Sequence, residues 1–207
     1  MEQELKDTIA VYDKFAKEYA EYNFQKIVQF PLNEFISFLP KKAKVLDVGC
    51  ASGRDVQYLI EDGFDTIGID ASKNLIDEAK KRVPEGKFKV MDMFNMSFED
   101  GIFDGVWCHA TFCHCLKKNA LDLLKEYKRV LKTKGIIYIG LREGDGERMV
   151  TYSKSGNLPR FFAFYKLDEL TALMKQAGFH IIRAYSEREN SYNWLNVFAE
   201  KRFDQKF

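Results

Sequence analysis

The chain has 207 residues, 46% hydrophobic and 30% charged, with 18 Phe, 10 Tyr and 2 Trp. That length suits one core-forming domain, and so many aromatics exclude a mainly disordered chain. Lys and Arg number 32 against 31 Asp and Glu, a net charge of +1 that gives a polyanion no global field, so nucleic acid is not the expected partner. No run approaches the roughly 20 apolar residues of a membrane-spanning helix. The N-terminus carries acids from its second residue and lacks a signal-peptide apolar core. Cys50, Cys108, Cys113 and Cys115, the last three within eight positions, do not form the spacing of a disulfide framework. The expectation is a cytoplasmic protein with reduced thiols, no membrane contact and one domain over 1–207.

In chain order, Tyr12, Phe15, Tyr19 and Tyr22 recur at spacings of three and four, which predicts one helical face. Residues 1–40 read as a helical segment placed as a lid over a ligand crevice. AKVLDV (43–48) is an apolar run bounded by turn residues, hence a buried strand. A helix over 54–63 stopped by Gly63 follows, then a strand over 64–70. Ser72 is the expected N-cap of a helix through Arg82, with Leu75, Ile76, Ala79 and Val83 on one side. Strands are expected at 87–91 and 103–109, a helix between Asn119 and Leu131, and a strand at 136–141. Arg142 to Pro159 reads as a polar stretch, and 142–166 as an insertion on the substrate side. A helix at 167–178 ending on Gly178 precedes two strands, 179–186 and 193–201, with no helix between them. The alternation predicts an α/β, doubly wound, mostly parallel sheet with an antiparallel hairpin at one edge.

VLDVGCASGRD (45–55) carries the most chemistry. A strand ends in Asp47, a glycine turn follows, and a helix begins near Arg54; in open α/β sheets such a turn approaches the ligand with bare backbone. A dinucleotide fingerprint beginning at Gly49 needs glycines at 51 and 54, where Ala51 and Arg54 stand. No phosphate loop is present either. A carboxylate before the turn repels a pyrophosphate but suits a ligand with an ammonium and a sulfonium, as in S-adenosylmethionine. Asp70 ends the next strand, 23 residues on, where it can accept from both ribose hydroxyls. Asp92 ends the third strand beside Met93, an acceptor for an adenine amino group next to an apolar wall. Each Asp alone is a common cap or turn residue; three successive strands ending in acids form a constellation.

These motifs resemble those of the class I, seven-stranded Rossmann-like S-adenosylmethionine-dependent methyltransferases. VLDVGCASG matches the first motif, GIDAS the second, Asp92-Met93 the third, FDGVWCHATFCH (103–114) the fourth, and LKTKGIIYIGL (131–141) the passage into the fifth strand. The likeness runs from about Tyr12 to Lys201 and departs at Ala51, where the family usually has Gly. It implies a seven-stranded sheet with an antiparallel last strand. It also implies that Gly49, Cys50 and Gly53 approach the methionine part, that Asp70 and Ala71 hold the ribose, and that Cys108, His109 and Ala110 line the pocket. Arg54 and Tyr19 are candidates for the cofactor carboxylate.

Cys108, His109, Cys113, His114 and Cys115 lie in one run with no second cluster to complete a zinc site, so no metal is expected. His114 is read as a structural hydrogen-bonding group. His109 is the one candidate base for an oxygen or nitrogen nucleophile. The acceptor is expected between the N-terminal helix and the stretch after the fifth strand, with Tyr12, Arg142, Arg160 and Tyr165 as candidate contacts. A small-molecule acceptor is the reading; the alternatives are a tRNA wobble-uridine modification enzyme, which YDKFAKEY (12–19) and RFF…Y…LDEL also resemble, and a non-catalytic cofactor-binding or assembly protein.

Overall fold

The computed structural model describes residues 2–26, 28–151, 157–189 and 192–202. The main sheet holds β1 (Lys44–Val48), β2 (Asp65–Asp70), β3 (Lys87–Val90), β4 (Phe103–His109) and β5 (Leu131–Arg142). After them come β6 (Glu147–Thr151) and β7 (Pro159–Ala163), which pair with each other, then β8 (Phe179–Glu189) and β9 (Tyr192–Lys201), which return to the sheet. The sheet order is β3-β2-β1-β4-β5-β9-β8, with β9 antiparallel to both neighbours and the other pairings parallel. The expected α/β architecture and closing hairpin are both present.

Alternation along the strands sorts side chains between two buried faces. Leu46, Val106, Ile137, Ile139 and Val197 face one way, against α6 (Ala120–Val130) and α7 (Leu167–Gln176). Val45, Trp107, Tyr138 and Phe198 face the other, against α3 (Gln29–Ser37) and α4 (Arg54–Glu61). Asp47, His109, Gly140 and Asn196 share the parity of this second set, so the sheet carries polar groups at the strand ends on that side.

Two expectations need correction. The N-terminal helix is broken at Phe15 (φ −112°, ψ 25°) into α1 (Gln3–Lys14) and α2 (Ala16–Asn23). The break resets the helical phase: Tyr12 and Tyr19 still meet, ring centroids 5.1 Å apart, whereas Tyr22 is 43% exposed. The stretch read as polar, with no strand assigned to it, contains β6 and begins β7. Most of β6 faces solvent, so it has no alternating apolar signal, and β7 opens on a proline.

Ser72 caps α5 (Lys73–Arg82) as expected, its Oγ accepting from the Leu75 amide at 3.1 Å, worth about 1 kcal/mol. It also donates to Asp13 Oδ1 of α1 at 2.6 Å, while the Asn74 amide donates to the same oxygen at 3.0 Å. Midway along α1, Thr8 Oγ1 accepts from the Phe161 amide at 2.9 Å. Helix α1 is thus tied to α5 on one side and β7 on the other, across the carboxyl ends of β1, β2 and β4.

Candidate active site

Beneath α1 lies a narrow crevice, walled by α1 and by the carboxyl ends of β1, β2 and β4. Its floor is the turn after β1. Gly49 (φ 74°) leaves no room for a side chain: a Cβ there would sit 2.0 Å from Thr111 Oγ1. Ala51 takes φ 47° and Ala110 φ 60°, left-handed conformations in which glycine is at home. A wider crevice opens beside it, between α2, the start of α3 and the β8–β9 hairpin. Tyr19, Gly49, Ala51, His109 and Ala110 line both.

Two acidic residues, Asp70 and Asp92, line this crevice, and a third, Asp47, is buried two residues before Gly49. Asp70 accepts from the Ala51 amide on one oxygen at 3.0 Å and from the Ser72 amide on the other at 2.8 Å. Burial raises its pKa to about 6, against the pull of those amides. Asp92 accepts from the Phe94 amide at 3.0 Å and stands with Met93 and Ala71 on the wall. Asp47 is 2% exposed, and its Oδ2 has no hydrogen-bond partner. Burial and the neighbouring Asp55 carboxylate push its pKa well up. An orphaned buried carboxylate oxygen is costly and calls for a donor; a ligand ammonium beside an acid-rich floor supplies it, so the residues fit the cationic methionyl end of S-adenosylmethionine.

Arg54 lines the wide crevice and is held by a two-pronged pair with Asp55, at 2.6 and 3.0 Å. Trp107 Nε1 donates to the same carboxylate at 2.9 Å. Although burial opposes it, Arg54 holds the Asp55 pKa below the ordinary range.

A second chain of contacts closes the far wall. His114 Nδ1 lies 2.7 Å from the Phe161 carbonyl, which can only accept, so the proton is on Nδ1 and Nε2 accepts from the Tyr12 hydroxyl at 3.0 Å. Arg160 Nη1 donates to Tyr12 Oη at 2.6 Å, with its guanidinium 4.8 Å from the Tyr12 ring centroid. Burial lowers the His114 pKa to about 4, keeping the imidazole neutral at pH 7.

Of the residues expected at the site, Tyr12, Tyr19, Gly49, Ala51, Asp70, Ala71, Asp92, Met93, His109 and Ala110 line the narrow crevice, and Cys50 and Arg54 the wide one. Asp47 lines neither crevice, and the others stand apart too. Gly53 (φ 84°) is buried at the start of α4 against Phe88 and Ala79. Cys108 is wholly buried, its Sγ 3.7 Å from Tyr127 Oη. Tyr165 is 1% exposed and packs on Phe112. Arg142 lies over the Tyr192 ring at 4.3 Å. Arg160 reaches the crevice through Tyr12 rather than lining it. His114 and Thr111 do line it; His114 sits in the quoted fourth motif, but its partners come from β7 and α1, which no local spacing reveals. Among the described residues no group of three or more His, Cys, Asp or Glu is placed to hold a metal ion, and no helix is long and apolar enough to cross a membrane.

Residues 46–139 match the family model described as a methyltransferase domain. Phosphoethanolamine N-methyltransferase 1 of Zea mays is 31% identical over 83% of this chain and 32% of its own length. The 2-methyl-6-phytyl-1,4-hydroquinone methyltransferase of Synechocystis is 37% identical over 49% of this chain and 32% of its own. The chain therefore spans about a third of the length of these relatives. Among solved structures, a Methanosarcina mazei S-adenosylmethionine-dependent methyltransferase superposes with TM-score 0.77 at 20% identity, over 86% of this chain and all of that one. The 1,6-didemethyltoxoflavin-N1-methyltransferase of Burkholderia thailandensis, solved with 1,6-didemethyltoxoflavin and S-adenosylhomocysteine, gives TM-score 0.75 at 19% identity over 96% and 87%. The seven-stranded order gives the chain the fold of the class I methyltransferases, and residues 46–139, which hold the glycine turn, Asp70 and Asp92, match a methyltransferase domain.

Proposed function

We propose that this protein transfers a methyl group from S-adenosylmethionine to a small-molecule nucleophile, an oxygen, nitrogen or sulfur atom. The observation that carries the reading is the row of acids: Asp47, Asp70 and Asp92 lie at or just beyond the carboxyl ends of adjacent strands, Asp70 and Asp92 line the crevice, and Asp47 keeps an unsatisfied buried oxygen. When bound, S-adenosylmethionine supplies an electrophilic methyl on a sulfonium centre. Asp92 and Met93 are assigned to the adenine, Asp70 and Ala71 to the ribose, and the Gly49–Ala51 backbone with Asp47, Arg54 and Tyr19 to the methionyl end.

The chain's own work is alignment and exclusion of water. Helix α1 acts as the lid, fastened through Asp13, Thr8 and Tyr12, and the segment 142–166 supplies its far anchor on β7. Tyr12 is the acceptor-side contact, its hydroxyl oriented by Arg160 and His114. The relatives named above act, by their names, on a phosphorylated amine, a hydroquinone and a didemethyltoxoflavin. All are small molecules, which supports a small acceptor over a nucleic acid, as does the near-zero net charge.

The test is calorimetric titration of the full chain with S-adenosylmethionine and S-adenosylhomocysteine, then a methyl-transfer screen of small amines and phenols. Micromolar binding is expected, weakened by roughly 1–3 kcal/mol in Asp70→Ala. A folded protein that binds neither compound refutes the proposal.

A further inference from the structure

His109 ends β4 where the two crevices meet, and the sheet around it is arranged in an unusual way. Across the strands His109 is level with Gly140, and Gly140 with Asn196. All three belong to one face, and the middle position carries no side chain. Tyr138, two residues earlier on the same face, fills that gap with its hydroxyl. A Cβ on Gly140 would lie 2.2 Å from Tyr138 Oη and 2.9 Å from His109 Nδ1, so the glycine is what admits the contact.

The protons in this row follow from the donors and acceptors available. Tyr138 Oη donates to Asn196 Oδ1 at 2.8 Å and lies 3.4 Å from His109 Nδ1. A hydroxyl has one proton; with that proton on Asn196, the oxygen can only accept from His109. The imidazole then carries its hydrogen on Nδ1, and Nε2 is a bare lone pair. Among the described residues Nε2 has no hydrogen-bond partner, while the ring stands against Trp194, centroids 4.9 Å apart, and both residues line the wide crevice. Burial lowers the His109 pKa to about 4, so the ring stays neutral at pH 7 and does not become a donor there.

We infer that Tyr138, Gly140 and Asn196 fix His109 as a hydrogen-bond acceptor facing the wide crevice, so that this crevice takes an aromatic or planar molecule presenting an O–H or N–H. A carboxylate or an ether at that point meets lone pair with lone pair and is disfavoured. Tyr19, Phe30, Tyr192 and Trp194 supply flat apolar walls around it. Calling this molecule the methyl acceptor rests on the function proposed above; the fixed tautomer does not.

The experiment uses the full chain with 15N-labelled histidine, its ring nitrogens read by long-range proton–nitrogen correlation at pH 7 and assigned with His109→Gln. The expected wild-type pattern is a protonated Nδ1 and a bare Nε2. Tyr138→Phe removes the acceptor, and Asn196→Ala frees the Tyr138 proton to point at Nδ1; each is expected to move His109 toward the Nε2–H form. A wild-type Nε2–H ring, or a tautomer unchanged in both variants, overturns the inference. Phenol and anisole then serve as probes of the crevice. Phenol is expected to shift the Nε2 resonance and anisole to leave it in place; equal shifts, or no response to phenol, overturn the assigned ligand class. Because no methyl donor enters these measurements, a protein that fails to bind S-adenosylmethionine yet shows the fixed tautomer refutes only the proposed function.

Discussion

Tyr12→Phe deletes one oxygen and keeps the ring that packs edge-on against Tyr19 and His114. The lost oxygen accepts from Arg160 at 2.6 Å and donates to His114 at 3.0 Å. A hydrogen bond to a charged group contributes about 1.5–3 kcal/mol, a neutral one about 1, and the stranded imidazole nitrogen adds to the loss. The expected destabilisation is about 2–4 kcal/mol. Urea unfolding followed by tryptophan fluorescence reads it, as a midpoint drop of about 1–2 M for a slope near 2 kcal/mol per molar. A cycle with Arg160→Met isolates the hydroxyl, because the guanidinium still lies over the Phe ring in the single variant; a coupling of about 1–2 kcal/mol is expected. A drop under about 0.25 M, or strict additivity, refutes the Arg160–Tyr12–His114 chain as a fastening of the lid.

Affinity for S-adenosylhomocysteine should be flat above pH 6 and fall, by up to tenfold per pH unit, below it. Binding that uses the Asp70 carboxylate as acceptor lowers its pKa from the free-state value of about 6, so protonation competes with the ligand. Calorimetry from pH 5 to 8 tests this, with Asp70→Asn expected to lose the inflection; a flat wild-type profile removes Asp70 from the ribose. Opposite signs are expected at the glycine turn. Gly49→Ala forces a Cβ against Thr111 in a left-handed conformation and should cost about 2–4 kcal/mol, whereas Ala51→Gly relieves its φ of 47° and should stabilise by up to about 1 kcal/mol. Thermal melts of the two variants decide it, and a stabilising Gly49→Ala contradicts the described turn.

What was legible in the sequence was local. The turn after β1 shows in VLDVGCASG because strand, glycine and helix start are contiguous, and Ser72 shows because a cap precedes its helix. The lid's fastening does not show: Asp13 reaches Ser72 across 59 positions, and Arg160 reaches Tyr12 across 148. Nor does the wall made by Trp194 and Asn196, which face the site only because β9 inserts beside β5 rather than at the sheet's edge. Arg142 shares the sheet face of Tyr138 and Gly140 but lies over the Tyr192 ring, and Tyr165 is buried against Phe112, so neither lines a crevice. Tyr138 and Gly140 were visible as letters in IIYIGL, but their joint meaning depends on His109 and Asn196 being level with the glycine.

The strand order leaves β3 and β8 as the two ends of a seven-stranded sheet, where unpaired backbone offers a template for another chain's strand. Neither end is a good template. β3 is only four residues long, with Lys87 and Lys89 exposed and the Lys87 ammonium 2.6 Å from Asp65. β8 is long, but its pairing with β9 slips between Ile181 and Arg183, and such a bulge twists an edge away from a flat partner. A charge-bearing short strand at one end and a kinked long one at the other both disfavour edge-to-edge pairing of this sheet with a second one.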